Sequence, residues 1–124
     1  MLRAYEYRCC ICGFDLRIGP QPAALEAAHI QWHTFAGPDI ETNGLSLCAL
    51  HHKLFDLGVF TLVSQNWRIF FSQYAISGAR GLEGELRHHG ATLLSPQNHN
   101  SLPDPGYVAW NHQNVFKGPQ WAMP

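Results

Sequence analysis

Cys9 and Cys12 flank two residues in Cys9-Cys10-Ile11-Cys12-Gly13, and Cys48 and His51 repeat that spacing in Cys48-Ala49-Leu50-His51, with 35 residues between the two pairs. Zinc takes thiolate and imidazole ligands in a tetrahedron, and a turn or a helix start can present two of them at this spacing. Gly13 fits the turn that a cysteine knuckle requires. One such pair would read as small buried hydrophobes; two matched pairs make Cys9, Cys12, Cys48 and His51 the expected ligands of a structural Zn²⁺. Cys10 is left over as a packing residue. Disulfides are the competing use of four cysteines. Adjacent Cys9 and Cys10, and the lack of an apolar secretory stretch after Met1, argue instead for a reducing compartment. Denatured, metal-free protein without free thiols would favour the secreted alternative.

Eight histidines are many for this length, and four of them, His29, His33, His51 and His52, fall between Ala28 and Lys53. On a helix from Cys48 to Leu57, His51 and His52 would point roughly 100° apart, so one helix would touch two sites. Asp56 lies one turn after His52 on the same face, which makes a second pair of metal-ligand type. Taken singly, His29 reads as a satisfied core histidine, His33 as a loop histidine, and Asn43-Gly44 as ordinary turn chemistry.

These side chains need elements to hold them. Leu2–Arg8 is expected to be the tail of a helix with Leu2 and Tyr5 facing inward; with no capping residue before it, the chain reads as the C-terminal part of a longer protein. Gly19–Pro22 is a loop and Leu25–Trp32 a strand carrying His29. Thr34–Thr42 is a loop, and Leu45–Leu47 a strand, so Glu26–Cys48 forms a hairpin with a long irregular tip. Ala49–Leu57 is a helix stopped by Gly58. Val59–Val63 and Trp67–Ser72 form a second hairpin, with Phe60 and Leu62 facing one side and Trp67, Ile69 and Phe71 alternating likewise. A short helix is expected over Leu82–His88. Asp104 caps and Pro105 starts a last helix to about Phe116, pinned by Tyr107, Trp110 and Phe116.

The 124 residues suit one domain. Apolar residues make up 46% and charged ones 14%, a globular composition. A net charge of −1 gives no broad cationic surface to hold a polyanion, so any nucleic-acid contact must be local. Arg80, Arg87, His88, His89 and Lys117 are candidates for it, a solvated face being the plainer use. No apolar run approaches the roughly 18 to 20 residues needed to cross a bilayer, and the chain reads as cytoplasmic.

The runs Ala27-Ala28-His29-Ile30, Asn43-Gly44-Leu45-Ser46-Leu47-Cys48 and His51-His52-Lys53-Leu54-Phe55-Asp56 together resemble the HNH endonucleases with a ββα-metal core. Asn43 follows His29 by 14 positions and His52 follows Asn43 by 9. The resemblance covers about Cys9 to Val63. It implies an α+β fold, a zinc-stabilised ββα-metal core with an added β-hairpin and a C-terminal helix, in a single domain. It implies metal-dependent hydrolysis of DNA phosphodiester bonds, with His29 as general base, Asn43 bracing the loop that orients it, and His52 holding a catalytic Mg²⁺, Mn²⁺, Co²⁺ or Ni²⁺ together with Asp56. The sequence departs from a common family pattern at Ala28, where many members carry Asp or His ahead of the base. The metal site would then have fewer protein ligands and bind its ion weakly with several waters, with Asp56, His33 or Glu26 available to help.

Tyr107-Val108-Ala109-Trp110 and Val115-Phe116-Lys117-Gly118-Pro119 are similar to the tail of bacterial modification-dependent (type IV) restriction endonucleases, including those that cut phosphorothioate-modified or methylated DNA. That likeness implies double-stranded, modified DNA as the partner and a recognition domain preceding this one. With one active site per chain, cutting both strands would take two copies, as in a homodimer. The competing expectation is a non-catalytic zinc module that binds DNA or protein, with Ala28 marking a lost metal site.

Overall fold

The computed structural model describes residues 1–78 and 81–121. Its centre is an antiparallel hairpin and a helix joined without a linker. Arg17–Ile18 (β1) and Gln21–Pro22 (β2) form a small ribbon ahead of it, where a plain loop is expected from the sequence. Leu25–His29 (β3) then pairs with Gly44–Cys48 (β4) in a register that sets Leu25 opposite Cys48 and His29 opposite Gly44. Every residue of β4 is buried.

β3 ends at His29 rather than Trp32. The backbone N–H and C=O of Gln31 are taken by the side chain of Asn43, so no ladder can continue through them. Asn43-Gly44 is not a two-residue hairpin turn either. Asn43 closes a 3₁₀ turn, Glu41–Asn43, and Gly44 is extended.

Ala49–Asp56 (α1) starts directly after β4. Cys48 does the work of an N-cap, its Sγ accepting from the His51 N–H at 3.5 Å. The helix stops where Gly58 takes φ +78°, and a Cβ there would lie 2.2 Å from the Val115 carbonyl oxygen. Phe60–Val63 (β5) and Arg68–Phe71 (β6) form the second hairpin, with Phe60, Leu62, Ile69 and Phe71 in the core as their alternation predicts, whereas Trp67 precedes β6 at a φ of +55°, which takes it out of the alternation and leaves it only partly buried. Phe60 packs between Phe55 of α1 and Phe71.

Gly81–Leu86 (α2) is a short helix, ending two residues before the expected limit. Pro105–Asn114 (α3) begins with Asp104 capping the Gly106 N–H at 2.8 Å. Val108 and Asn111, not the expected Trp110, are its buried contacts. Asn111 accepts from the Thr61 hydroxyl and donates to the Ile30 carbonyl, tying α3 to both hairpins. Trp110 packs outside this core against Trp32 and Phe35.

The N-terminal helix expected over Leu2–Arg8 is one 3₁₀ turn, Arg3–Tyr5. Glu6 and Tyr7 adopt left-handed backbone angles, which a helix cannot pass through. Tyr5 is buried as expected. No helix among the described residues is long and apolar enough to cross a membrane.

Candidate metal centres and active-site cleft

The knuckle carrying Cys9 and Cys12 turns at Gly13, whose φ is +80°, and is stitched to β4 by the Cys10 N–H on the Ser46 carbonyl at 2.9 Å. This brings Cys9 and Cys12 against the start of α1. The donor atoms of Cys9, Cys12, Cys48 and His51 all lie within 4.8 Å of one another. Cys12 Sγ is 4.0 Å from Cys48 Sγ, and His51 Nδ1 is 3.2 Å from Cys48 Sγ and 3.8 Å from Cys9 Sγ. A tetrahedron with zinc bonds of about 2.0–2.3 Å has edges of about 3.3–3.8 Å, so the four side chains fit one zinc ion with small adjustments. None of the four cysteines is in a disulfide. Cys10 is fully buried, in the packing role expected of it.

Burial and close polar neighbours compete in setting the electrostatics of this cluster. Burial alone would push the Cys9 thiol up, but the His51 ring and the amides around the knuckle bring it down to about 6. Burial likewise opposes a charged His51, yet Cys9, Glu85 and Cys48 raise it to about 9. Cys12, losing solvation beside Cys9 and Cys48, is pushed up to about 12. A metal would replace the His51 proton and hold the crowded thiolates together. His51 Nε2 meets Glu85 Oε1 of α2 at 2.6 Å, which leaves Nδ1 turned to the sulfurs. Glu85 has no spacing signal in the sequence, since it stands 34 residues from its partner.

On the other face of α1, an open cleft of ≈ 360 Å³ is lined by Ala27, His29, Trp32, His33, Thr34, His52 and Asp56. β3 contributes His29 from its last position and α1 contributes His52 and Asp56. His52 Nε2 is 3.3 Å from Asp56 Oδ2, and His52 Nδ1 is 2.6 Å from Glu26 Oε1. Burial raises the Asp56 carboxyl above its usual range, against the pull of His52 and Lys53. His29 Nε2 is buried without a hydrogen bond, with the Asp39 carboxylate 3.4 Å away. Asp39, in the loop Gly37-Pro38-Asp39, was not singled out by any motif. His33 stands beside His29, ring centroids 6.4 Å apart.

Asn43 does not line the cleft. Fully buried, its Oδ1 accepts from the Gln31 N–H at 2.8 Å while Nδ2 donates to the carbonyls of Gln31 and Pro38 at 3.0 and 2.9 Å. Its own carbonyl accepts from Ile30. The segments on either side of the tip are therefore closed just beyond His29. Ala28 is fully buried and faces away from the cleft, so the position ahead of His29 offers nothing to an ion. The cleft donors are looser than the cysteine set: His52 and Asp56 provide one nitrogen and one oxygen, a borderline pair suited to a partly hydrated divalent cation.

The expected phosphate contacts divide. Arg87 and Lys117 are exposed. His89 is structural, accepting from the Phe71 N–H and reaching the Trp121 carbonyl through its other nitrogen. His88 packs edge-on against His51. Arg80 lies outside the described residues.

Residues 9–63 match the model of a family described as HNH endonuclease. The chain is also similar in structure to the modification-dependent TagI restriction endonuclease, with a TM-score of 0.62 and 20% sequence identity, covering 92% of this chain and 35% of that one. The chain thus spans about a third of that protein's length. No curated protein matches the chain.

Proposed function

From residues 9–63 as an HNH domain with the HNH fold, we propose that this chain is a metal-dependent DNA endonuclease and the cleavage domain of a modification-dependent restriction enzyme. The observation that carries the reading is the convergence of His29, His52 and Asp56 on one cleft, with Asn43 bracing the chain behind the base. Structural Zn²⁺ belongs to Cys9, Cys12, Cys48 and His51. A catalytic Mg²⁺, Mn²⁺, Co²⁺ or Ni²⁺ belongs to His52 and Asp56.

In the reaction, His29 takes a proton from the attacking water as the new P–O bond forms and the P–O3′ bond breaks. General-base catalysis of this kind contributes about 10²- to 10⁴-fold. The Asp39 carboxylate stabilises the imidazolium that results. Asn43 keeps the His29 segment from relaxing, since its three side-chain hydrogen bonds would all break if the tip moved. His52 and Asp56 would hold the divalent ion, which would supply charge neutralisation for the phosphate and the leaving oxygen.

The partner in this reading is double-stranded DNA carrying a modification, methylation or phosphorothioation, that residues outside this cleft sense. The net charge of −1 supports that division, because non-specific affinity comes mainly from Lys and Arg on phosphates. Residues 1–124 act as one nuclease domain in the cytoplasm, and two copies are needed to cut both strands. The alternative, a zinc module without catalysis, draws on Ala28 and the small ligand set of the cleft.

Plasmid cleavage separates the two. Supercoiled DNA with each of the four metals should be nicked by the wild type and not by His29→Ala or His52→Ala proteins that are folded and zinc-loaded. Absence of nicking at high protein and low salt, in this chain and in any longer form containing it, would leave the binding module standing.

A further inference from the structure

His52 is held at both ring nitrogens by carboxylates that come from different directions. Asp56, one turn along α1, approaches Nε2 at 3.3 Å and lines the cleft. Glu26, on β3, meets Nδ1 at 2.6 Å and does not line it. The strand explains the difference. Ala27 and His29 point into the cleft, so Glu26 and Ala28 belong to the opposite face of β3. Glu26 pairs with Leu47, one residue before the cysteine that caps α1, which fixes its reach to the helix.

Resting on the nuclease reading above, we propose that Glu26 is a positioning residue for the catalytic cation: it fixes the proton of His52 on Nδ1 and thereby turns the Nε2 lone pair to the ion beside Asp56. A neutral imidazole has one N–H and one lone pair, and a carboxylate on one nitrogen decides which is which. The preceding residue offers an internal parallel with the nitrogens exchanged: Glu85 holds His51 at Nε2, and Nδ1 faces the thiol cluster. Glu26 is thus not the substitute for the ligand missing at Ala28. It acts through His52.

The test uses the full, zinc-loaded chain as wild type, Glu26→Ala and Glu26→Gln. Three quantities are measured: the His52 tautomer by ¹⁵N NMR without added metal, Mn²⁺ binding without DNA by the EPR signal of free Mn²⁺, and the Mn²⁺ midpoint of plasmid nicking. Zinc content and the thermal melt serve as controls. The expected result is an Nδ1–H tautomer in the wild type that is lost in Glu26→Ala. Mn²⁺ affinity should fall about 10- to 100-fold, with the nicking midpoint moving by the same factor. Glu26→Gln, which keeps an oxygen acceptor for Nδ1–H, should retain the tautomer and fall between the two. An unchanged tautomer or unchanged Mn²⁺ affinity in Glu26→Ala overturns the proposal, as does a Glu26→Gln protein as impaired as Glu26→Ala, which would make Glu26 a ligand. Should the alanine variant lose zinc or its melt, Glu26→Gln decides alone: retained tautomer with weakened binding supports the role, and unchanged binding overturns it. Wild type that binds Mn²⁺ but never nicks refutes the nuclease reading and leaves the Glu26 role intact. Wild type that binds no Mn²⁺ refutes both.

Discussion

His51 and His52 are neighbours in one helix and serve sites of opposite build. His51 points into a buried cluster whose other donors come from a knuckle 42 residues away and from the helix cap, with every donor atom within 4.8 Å of the rest. His52 faces an open cleft, where Asp56 stands beside its Nε2 at 3.3 Å. Four converging ligands leave a metal no open position, which suits an ion that holds segments together. Two ligands leave room for water and a phosphate oxygen, which suits an ion that takes part in chemistry. One helix can carry both because successive residues diverge by roughly 100° around its axis.

The contrast can be broken most forcefully at the buried site. Cys12→Ala, or a strong chelator, is expected to abolish the cooperative melt followed by circular dichroism, since a structural zinc of this type contributes about 10–16 kcal/mol of apparent binding free energy. An unchanged melt would show that the cluster does not support the fold. At the cleft the expected loss is in rate and not in folding: His29→Ala should slow plasmid nicking by about 10²- to 10⁴-fold with zinc content and melting temperature unaltered.

Asn43 stands between the two behaviours. Asn43→Ala orphans the Gln31 N–H and two carbonyls, and should lower stability by about 1–3 kcal/mol in urea titrations as well as slowing nicking. A variant as stable as wild type would mean that water takes over those bonds. The smallest effect is expected at Glu85. Glu85→Ala should weaken zinc about 10- to 100-fold in chelator competition while nicking at saturating zinc is unchanged, and a loss of nicking there would show that the two sites are not separable through α2.

The sequence was legible where chemistry or periodicity is repeated locally. The two x2 half-sites announced the cysteine cluster, the alternation of Phe60, Leu62, Ile69 and Phe71 announced the second hairpin, and Asp104-Pro105 announced the start of α3. It was illegible where a tertiary partner decides. Nothing near Gln31 says that β3 must stop, because the cause is the side chain of Asn43 twelve positions on. Glu85 and Asp39 look like surface carboxylates until the fold sets them against histidines. The N-terminal helix failed for a local reason: Leu2–Arg8 has a helical apolar pattern, but Glu6 and Tyr7 take left-handed angles.

The Cys12 to Cys48 closure encircles 35 residues, and that loop contains β3, Asn43 and the whole of β4 before its last residue. His29 is inside the ring and His52 lies just outside it. Closing a loop of this length costs a freely moving chain several kcal/mol of entropy at ~25 °C by the usual scaling, a cost that a metal clip can offset at a single step. An ion held between Cys12 and Cys48 would close that loop and so limit the ways in which β3 and α1 can sit across the cleft.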